Sequence, residues 1–372
     1  MRGATLAVCA WALVALVTPC GALARTERQH RFSFAFGSKG PDVGQFSDPD
    51  GVAVSTATGD VYVADRKNAR VQQFVPVRER GLLVGETPIR SFAVSAPQGV
   101  AVDDSSEARD ASRGDVYVVS GGKRVLRVSA EGVLLAELKR FEVQGVKRKL
   151  EQVTGVAVDS HGTLYVSQAD GRVYAFPEGE AAGATLELKT GFRGAPGLAL
   201  DDEGDVFLGE VGEDGFPVVA EVEGETGRVL VAALDDEPSS AVAVNVTDAA
   251  EATGVDERDD AYVVNGGGRE EASTVAQFGP GVEGASGALL QRFGAPGLRE
   301  GDSVAVDGAD GTVFLADAAS DDVDVFELEL PGPPTVADPA VSSASPPVVD
   351  GRRLSAQLNP MGAETHREMT IR

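Results

Sequence analysis

The stretch DVYVADRKNARVQQF, Asp60–Phe74, decides the fold. It opens with an unbroken apolar run, turns through the short polar loop DRKNAR, and ends half polar. VYVA is apolar on both of its alternating faces, as expected of a strand covered on both sides. RVQQF keeps some positions apolar and releases others, as expected of a strand nearer water. The unit recurs. PDGVAVSTATGDVYVADRKNARVQQF starts at Pro49, PQGVAVDDSSEARDASRGDVYVVSGGKRVLRV at Pro97 and VTGVAVDSHGTLYVSQADGRVYAF at Val153. APGLALDDEGDVFLGEVGEDGFPVVAEV follows from Ala195, SSAVAVNVTDAAEATGVDERDDAYVVNGGG from Ser239 and GDSVAVDGADGTVFLADAASDDVDVF from Gly301. That makes six copies, each an apolar stretch, an Asp/Gly turn, a second apolar stretch, a polar loop and a third strand.

The turns carry their own mechanism. In DSHGT (Asp159–Thr163), DDEGD (Asp201–Asp205) and DGADGT (Asp307–Thr312) an early Asp can accept bonds from the backbone just ahead of it. The Gly then takes the left-handed conformation that a tight hairpin needs. Two long insertions, in copies two and five, fall at this same turn, so they respect the alignment.

A single unit of this kind cannot bury both of its faces, whereas a closed ring can. The pattern therefore predicts an all-β fold, a six-bladed β-propeller of four-stranded antiparallel blades, whose inner strands are sandwiched and whose outer strands meet water. LLQRFGAPG (Leu289–Gly297) reads as an outer strand leading inward. FSFAFGSKG (Phe32–Gly40) repeats it with no preceding blade, while the sixth copy stops after its third strand at VDVFELEL. The N-terminal strand is thus expected to complete the last blade and close the ring, leaving no free edge.

The first copy resembles an NHL repeat. Asp65, Asn68, Arg70, Val71 and Phe74 match the signature D-x-x-N-x-R-[VI]-x-x-F. In the third copy Ser167, Asp170, Arg172, Val173 and Phe176 keep that spacing with two substitutions. In the sixth, Asp317, Val323 and Phe326 remain while Ser320 and Asp322 replace the Asn and Arg. The resemblance extends over Phe32–Leu330. Asp65, Asn68 and Arg70 have two readings, a binding loop or a polar clasp that fixes the turn. The clasp is preferred, because Asn and Asp in such turns mostly bond backbone.

Residues 1–24 stand apart, with basic Arg2, an apolar stretch from Ala4 to Val17 and small residues at Ala22 and Ala24. This reads as a signal peptide cleaved after Ala24, which implies a secreted or cell-envelope protein with no membrane span after cleavage. Residues 25–31 read as a short linker and 32–330 as the propeller. Residues 331–372 read as a Pro/Ala/Ser-rich linker ending in an incomplete tail, whose LNPMGAET resembles the opening of a bacterial fibronectin-like module. Both cysteines, Cys9 and Cys20, lie in the leader, which excludes disulfides and thiolate chemistry from the remainder. The net charge of −25 repels phosphate backbones, so nucleic acid is a poor partner.

No catalytic constellation is assembled in the sequence. His30, His161 and His366 are scattered, and no nucleophile elbow, P-loop or dinucleotide fingerprint stands in a fitting context. The residue just before each inner strand is expected to ring one mouth of the tunnel: Asp50, Gln98, Thr154, Pro196, Ser240 and Asp302. Asp50, Gln98 and Asp302 are weak candidates for a calcium site, against the simpler reading that both Asp residues cap turns. The acidic pairs Asp103–Asp104, Asp235–Asp236 and Asp321–Asp322 read as exposed turn residues. The functional expectation is a binding module, with no cofactor, whose faces dock a protein, peptide or glycan. The alternative is a calcium-dependent hydrolase or lyase of the lactonase-like propeller kind, working in the tunnel.

Overall fold

The computed structural model describes residues 29–105, 112–177, 183–189, 197–201, 204–211, 217–222, 229–231, 239–244, 260–265, 273–279, 289–299 and 301–329. The regular elements among them are β-strands. β1 is Gln29–Phe36. The first blade holds β2 (Pro49–Val54), β3 (Val61–Asp65), β4 (Arg70–Glu79) and β5 (Leu82–Ala93). The second holds β6 (Pro97–Val102), β7 (Val116–Ser120), β8 (Arg124–Val128) and β9 (Leu134–Leu138). A separate hairpin, β10 (Arg140–Val143) with β11 (Val146–Lys149), precedes the third blade, which is β12 (Val153–Val158), β13 (Leu164–Gln168), β14 (Arg172–Phe176) and β15 (Leu186–Lys189). Next come β16 (Leu198–Leu200), β17 (Val206–Val211), β18 (Pro217–Val222) and β19 (Val229–Val231). After them come β20 (Ser239–Val244), β21 (Ala261–Asn265), β22 (Thr274–Phe278) and β23 (Leu289–Phe293). The last sheet runs β24 (Gly301–Val306), β25 (Val313–Asp317), β26 (Asp322–Glu329) and then β1, the N-terminal strand. Every pairing is antiparallel, and this is an all-β propeller of four-stranded blades.

The apolar run of β3 explains itself here. Val61 and Val63 pack with Ala305, Phe314, Ala316, Val323 and Val325 of the last sheet. Tyr62 and Ala64, on the alternate face, pack with Val100, Val116, Val118 and Leu126 of the second blade. Each middle strand therefore serves two neighbours, and a run without polar alternation is what that position demands. RVQQF does not lie nearer water as its polar residues suggested: Gln72 and Gln73 are buried, their amides bonded to Gln45 and Asp60, and burial fades only beyond Phe74 in β4 and toward the end of β26.

The turns use the Asp/Gly chemistry. Asp159 Oδ1 accepts from the backbone N–H groups of His161 (2.9 Å) and Thr163 (2.8 Å), and Gly162 follows at φ +82°. Asp307 Oδ1 accepts from Ala309 N–H at 2.9 Å, with Gly311 at φ +77°.

Three expectations need correction or narrowing here, and one element was not foreseen. β1 starts at Gln29, so residues 29–31 are strand and not linker: His30 is buried, and Gln29, His30 and Arg31 stand opposite Glu329, Leu328 and Glu327. The hairpin β10–β11 was not foreseen; its Phe141 and Val143 join the core, and the Phe141 ring packs on those of Tyr174 and Phe176 at 4.7 and 5.0 Å. In the third copy Gln168, not Ser167, is the counterpart of Asp65. Its loop is one residue shorter, and the ladder sets Gln168 opposite Arg172 as it sets Asp65 opposite Arg70. The acidic pairs are not simply exposed: Asp103 and Asp321 are buried. Asp103 Oδ1 accepts from Ser105 N–H at 3.0 Å, and Asp321 accepts from Asp48 N–H at 2.8 Å. Asp235–Asp236, Pro196, residues 1–28 and the fibronectin-like tail lie outside the described residues. By its internal contacts the chain divides after Leu330.

Candidate functional site at the axial mouth

Five of the positions expected just before the inner strands are the second residues of those strands, and they share a device. The β2–β3 ladder skips Asp50, β12–β13 skips Thr154, β20–β21 skips Ser240 and β24–β25 skips Asp302. β6–β7 skips Gln98 together with Gly99. Each skipped residue is a β-bulge, which bends the strand and re-aims the side chain that would otherwise alternate into a blade face.

The glycine after the bulge residue lets neighbouring inner strands converge. A Cβ on Gly51 would lie 2.1 Å from the carbonyl oxygen of Gln98, and one on Gly155 would lie 2.8 Å from Cβ of Leu198. In the last blade Ser303 takes this place, and its Oγ accepts from Val52 N–H at 3.1 Å. Sequence reasoning named the ring of mouth positions from the repeat but missed the bulge that aims them. The signal was present in the residue-plus-glycine pairs Asp50–Gly51, Thr154–Gly155 and Pro196–Gly197.

Asp50, Gln98, Thr154 and Asp302 line one cavity of about 360 Å³, together with Val52, Val100, Val156 and Val304 of the inner strands. Gln98 Oε1 is buried there and meets no hydrogen-bond donor among the described residues. Arg66 Nη1 stands 3.2 Å from Asp50 Oδ2. Burial pushes the Asp50 carboxyl upward and Asp48 adds to this, while Arg66 opposes it. A second cavity of about 410 Å³ adjoins the mouth, shares Gln98 and Thr154, and brings in Arg66 and Lys123. Toward the other ends of the inner strands a cavity of about 430 Å³ is lined by Asp104, Asp159 and Asp201. Asp104 is committed there, accepting from Ser55 Oγ at 2.8 Å and Thr56 N–H at 2.7 Å.

The signature residues lie away from this mouth and bond one another. Asp65 is fully buried. It accepts from Ser47 N–H at 2.8 Å, from Asn68 Nδ2 at 2.9 and 3.0 Å, and from Arg70 Nε at 2.7 Å. Arg70 Nη2 also reaches the carbonyls of Asp42 and Gln45, and Asn68 reaches that of Gly40. The group ties the β1–β2 connection to the first blade.

His30 is equally committed. Its Nε2–H donates to the Gly311 carbonyl at 2.9 Å, its Nδ1 accepts from Gln291 Nε2 at 2.9 Å, and its ring stacks on Phe293 at 4.8 Å. Burial lowers its pKa to about 4, so the imidazole is neutral. His161 is exposed in its turn, and the two rings belong to separate blades.

Comparison with known proteins follows this geometry. Residues 46–74 match the NHL repeat model. No curated protein sequence matches the chain. Among solved structures, the PQQ-bound form of aldose sugar dehydrogenase from Streptomyces coelicolor is similar. It is 16% identical, the match covers 81% of this chain and 98% of that one, and the TM-score is 0.52. At that identity the likeness is one of fold.

Proposed function

We propose that this protein is an extracytoplasmic binding module, a six-bladed ring closed by β1, that takes the end of a glycan or peptide into the axial mouth. Six four-stranded sheets and the pairing of β1 with β26 support the ring. So does the packing of the first sheet against the last through Phe46, Val52 and Phe74. The single observation that carries the binding reading is Gln98 Oε1, a buried acceptor without a donor, aimed by a bulge into a cavity it shares with Asp50, Thr154 and Asp302. A buried acceptor left unmatched is costly, and a ligand hydroxyl or amine would relieve it. Arg66 and Lys123 on the adjoining cavity suit an acceptor group further along the same ligand. The apolar leader of residues 1–24 supports export.

The similar sugar dehydrogenase raises an enzymatic reading, which requires a site that fits PQQ. PQQ carries three carboxylates. The charged side chains lining the axial cavity are Asp50 and Asp302, and Asp104, Asp159 and Asp201 line the cavity toward the other end. These two acidic linings do not fit an anionic quinone, and of the two bases on the adjoining cavity Arg66 is already paired with Asp48 and Asp50.

Binding of the full chain to arrayed oligosaccharides and peptides, repeated with Gln98→Ala and with Asp302→Asn, tests the reading. One ligand class should be retained by the parent chain and lost at least tenfold in both variants. Ligands bound equally well by the variants contradict the mouth as the site. Hydrolysis or elimination that requires calcium and depends on Asp50 and Asp302 would move the protein to the enzymatic alternative.

A further inference from the structure

The last blade repeats the clasp of the first with its charges replaced. In the first, Asp65 faces Arg70 across the β3–β4 ladder, and Gln72 stands two residues further on, with its Nε2 3.4 Å from Asp65 Oδ2. In the last, a loop of equal length sets Asp317 opposite Asp322 across β25–β26, and Asp324 takes the place of Gln72. A guanidinium and an amide have both become carboxylates. One oxygen from each of Asp317, Asp322 and Asp324 lies within 4.8 Å of the others.

Acidic clusters are common on surfaces, but this one is built into the blade. Asp317 is buried, and its Oδ1 accepts from the N–H groups of Ala319 (2.9 Å) and Ser320 (3.3 Å), with Arg299 N–H 3.4 Å from Oδ2. Asp324 is only 5% exposed and has no hydrogen-bond or ion-pair partner among the described residues. Asp322 Oδ1 is likewise buried without a partner. Among the described residues no base relieves the three. Lys39 is exposed and pairs instead with Asp321 at 3.0 Å, and the exposed Arg299 forms no ion pair with the cluster. From β1, Ala35 stands opposite Asp324, and Gly37 just beyond the strand lies beside Asp322; neither carries a charge. Burial, with the neighbouring carboxylates adding, pushes Asp322 up to about 6 and Asp324 up to about 7.

Like charges so placed make one another costly to ionise, and a cation among them removes that cost. We propose that Asp317, Asp322 and Asp324 bind a calcium ion, which occupies in the last blade the place that the Arg70 guanidinium holds in the first. All-oxygen ligation is what a hard divalent cation requires. Calcium, with flexible oxygen ligation at about 2.3–2.6 Å, suits three donors spread over this span better than magnesium, which needs about 2.0–2.1 Å and near-ideal octahedral geometry. Because Asp322 and Asp324 lie on β26, the strand that pairs with β1, the ion would secure the sheet in which the two ends of the propeller meet.

The test is calorimetric titration of the EDTA-stripped full chain with calcium chloride and, separately, magnesium chloride, paired with thermal unfolding. The expected result is one saturable calcium site, at least tenfold weaker binding of magnesium, and a midpoint raised by about 5 °C at saturating calcium. Asp324→Asn should weaken calcium at least tenfold. The double variant Asp322→Arg with Asp324→Gln, which rebuilds the first blade's clasp, should fold, ignore calcium and unfold at a higher temperature than the stripped parent. Asp50→Asn with Asp302→Asn should leave this calcium site intact. The proposal is overturned if the parent takes up no calcium. It is equally overturned if the rebuilt clasp still binds it, or if binding is lost only in the Asp50/Asp302 variant, which would put the ion at the axis.

Discussion

Asp65→Ala removes the hub of the first clasp, and the structure sets the size of the loss. Four groups donate to this carboxylate: Ser47 N–H, Asn68 Nδ2, Arg70 Nε and Gln72 Nε2. Removing it strands a guanidinium whose side chain is 13% exposed. Breaking a buried pair from one side typically costs about 3–5 kcal/mol. Arg70 keeps its bonds to the carbonyls of Asp42 and Gln45 at 2.7 and 2.8 Å, which places the expected loss near the lower end, about 3 kcal/mol. In a domain of this size that lowers the midpoint by roughly 6 °C. Differential scanning calorimetry of Asp65→Ala, Arg70→Ala and the double variant would read both the loss and the coupling. The double variant should be less damaged than the sum of the singles, since each single leaves an uncompensated partner. A loss below about 1 kcal/mol for Asp65→Ala, or strict additivity, would refute the clasp as a cooperative unit.

Three further outcomes follow from other parts of the molecule. Gly51→Ala should destabilise the protein by about 1–3 kcal/mol or more, because the new Cβ would overlap the Gln98 carbonyl. Gly85→Ala, with nothing near its Cβ, should leave the unfolding midpoint unchanged. In calcium-free buffer, stability should fall as pH rises from about 4 to above 7. The folded pKa values of Asp322, Asp324 and Asp307, about 6, 7 and 7, lie above the ordinary aspartate value of 3.8, so the native state holds protons that the unfolded chain has released. Denaturant titrations across that range should give a shallower slope for Asp324→Asn. His30 has the opposite sign. Its pKa, lowered to about 4, means that stability present above pH 6.5 is lost as pH falls toward 4, and His30→Gln should remove that portion of the acid-side loss.

Much of the blade pattern was legible because the repeat encodes it twice, once in the double-faced apolar runs and once in the Asp/Gly turns. Val61, Tyr62, Val63 and Ala64 could be read as a sandwiched strand without knowing which neighbour each touched. Legibility failed where a residue's role depends on a partner remote in sequence. His30 looks like linker until Gln291, Phe293 and Gly311 are placed around it. Asp321 and Asp322 look like two ordinary turn residues. In space Asp321 holds Asp48 N–H, while Asp322 faces Asp317 across the ladder. The substitution of Asp322 for Arg and Asp324 for Gln was visible as a departure from the first copy. Its consequence was not, because only the shared register puts the three carboxylates on one spot. At the mouth, the repeat gave the positions, and the bulges that aim them emerged only from the ladders.

The proposed ring rests on the joining of the two ends of the propeller, and a cross-link tests that joining directly. In a chain beginning at residue 25, which contains no cysteine, Arg31→Cys and Glu327→Cys introduce a pair that stands opposite across the β1–β26 ladder. Under mild oxidation the native monomer should form one intramolecular disulfide, read by mass spectrometry as the loss of both thiols, and its unfolding midpoint should rise. Two thiols that remain free in the folded monomer, or that pair only between molecules, would contradict closure by the N-terminal strand.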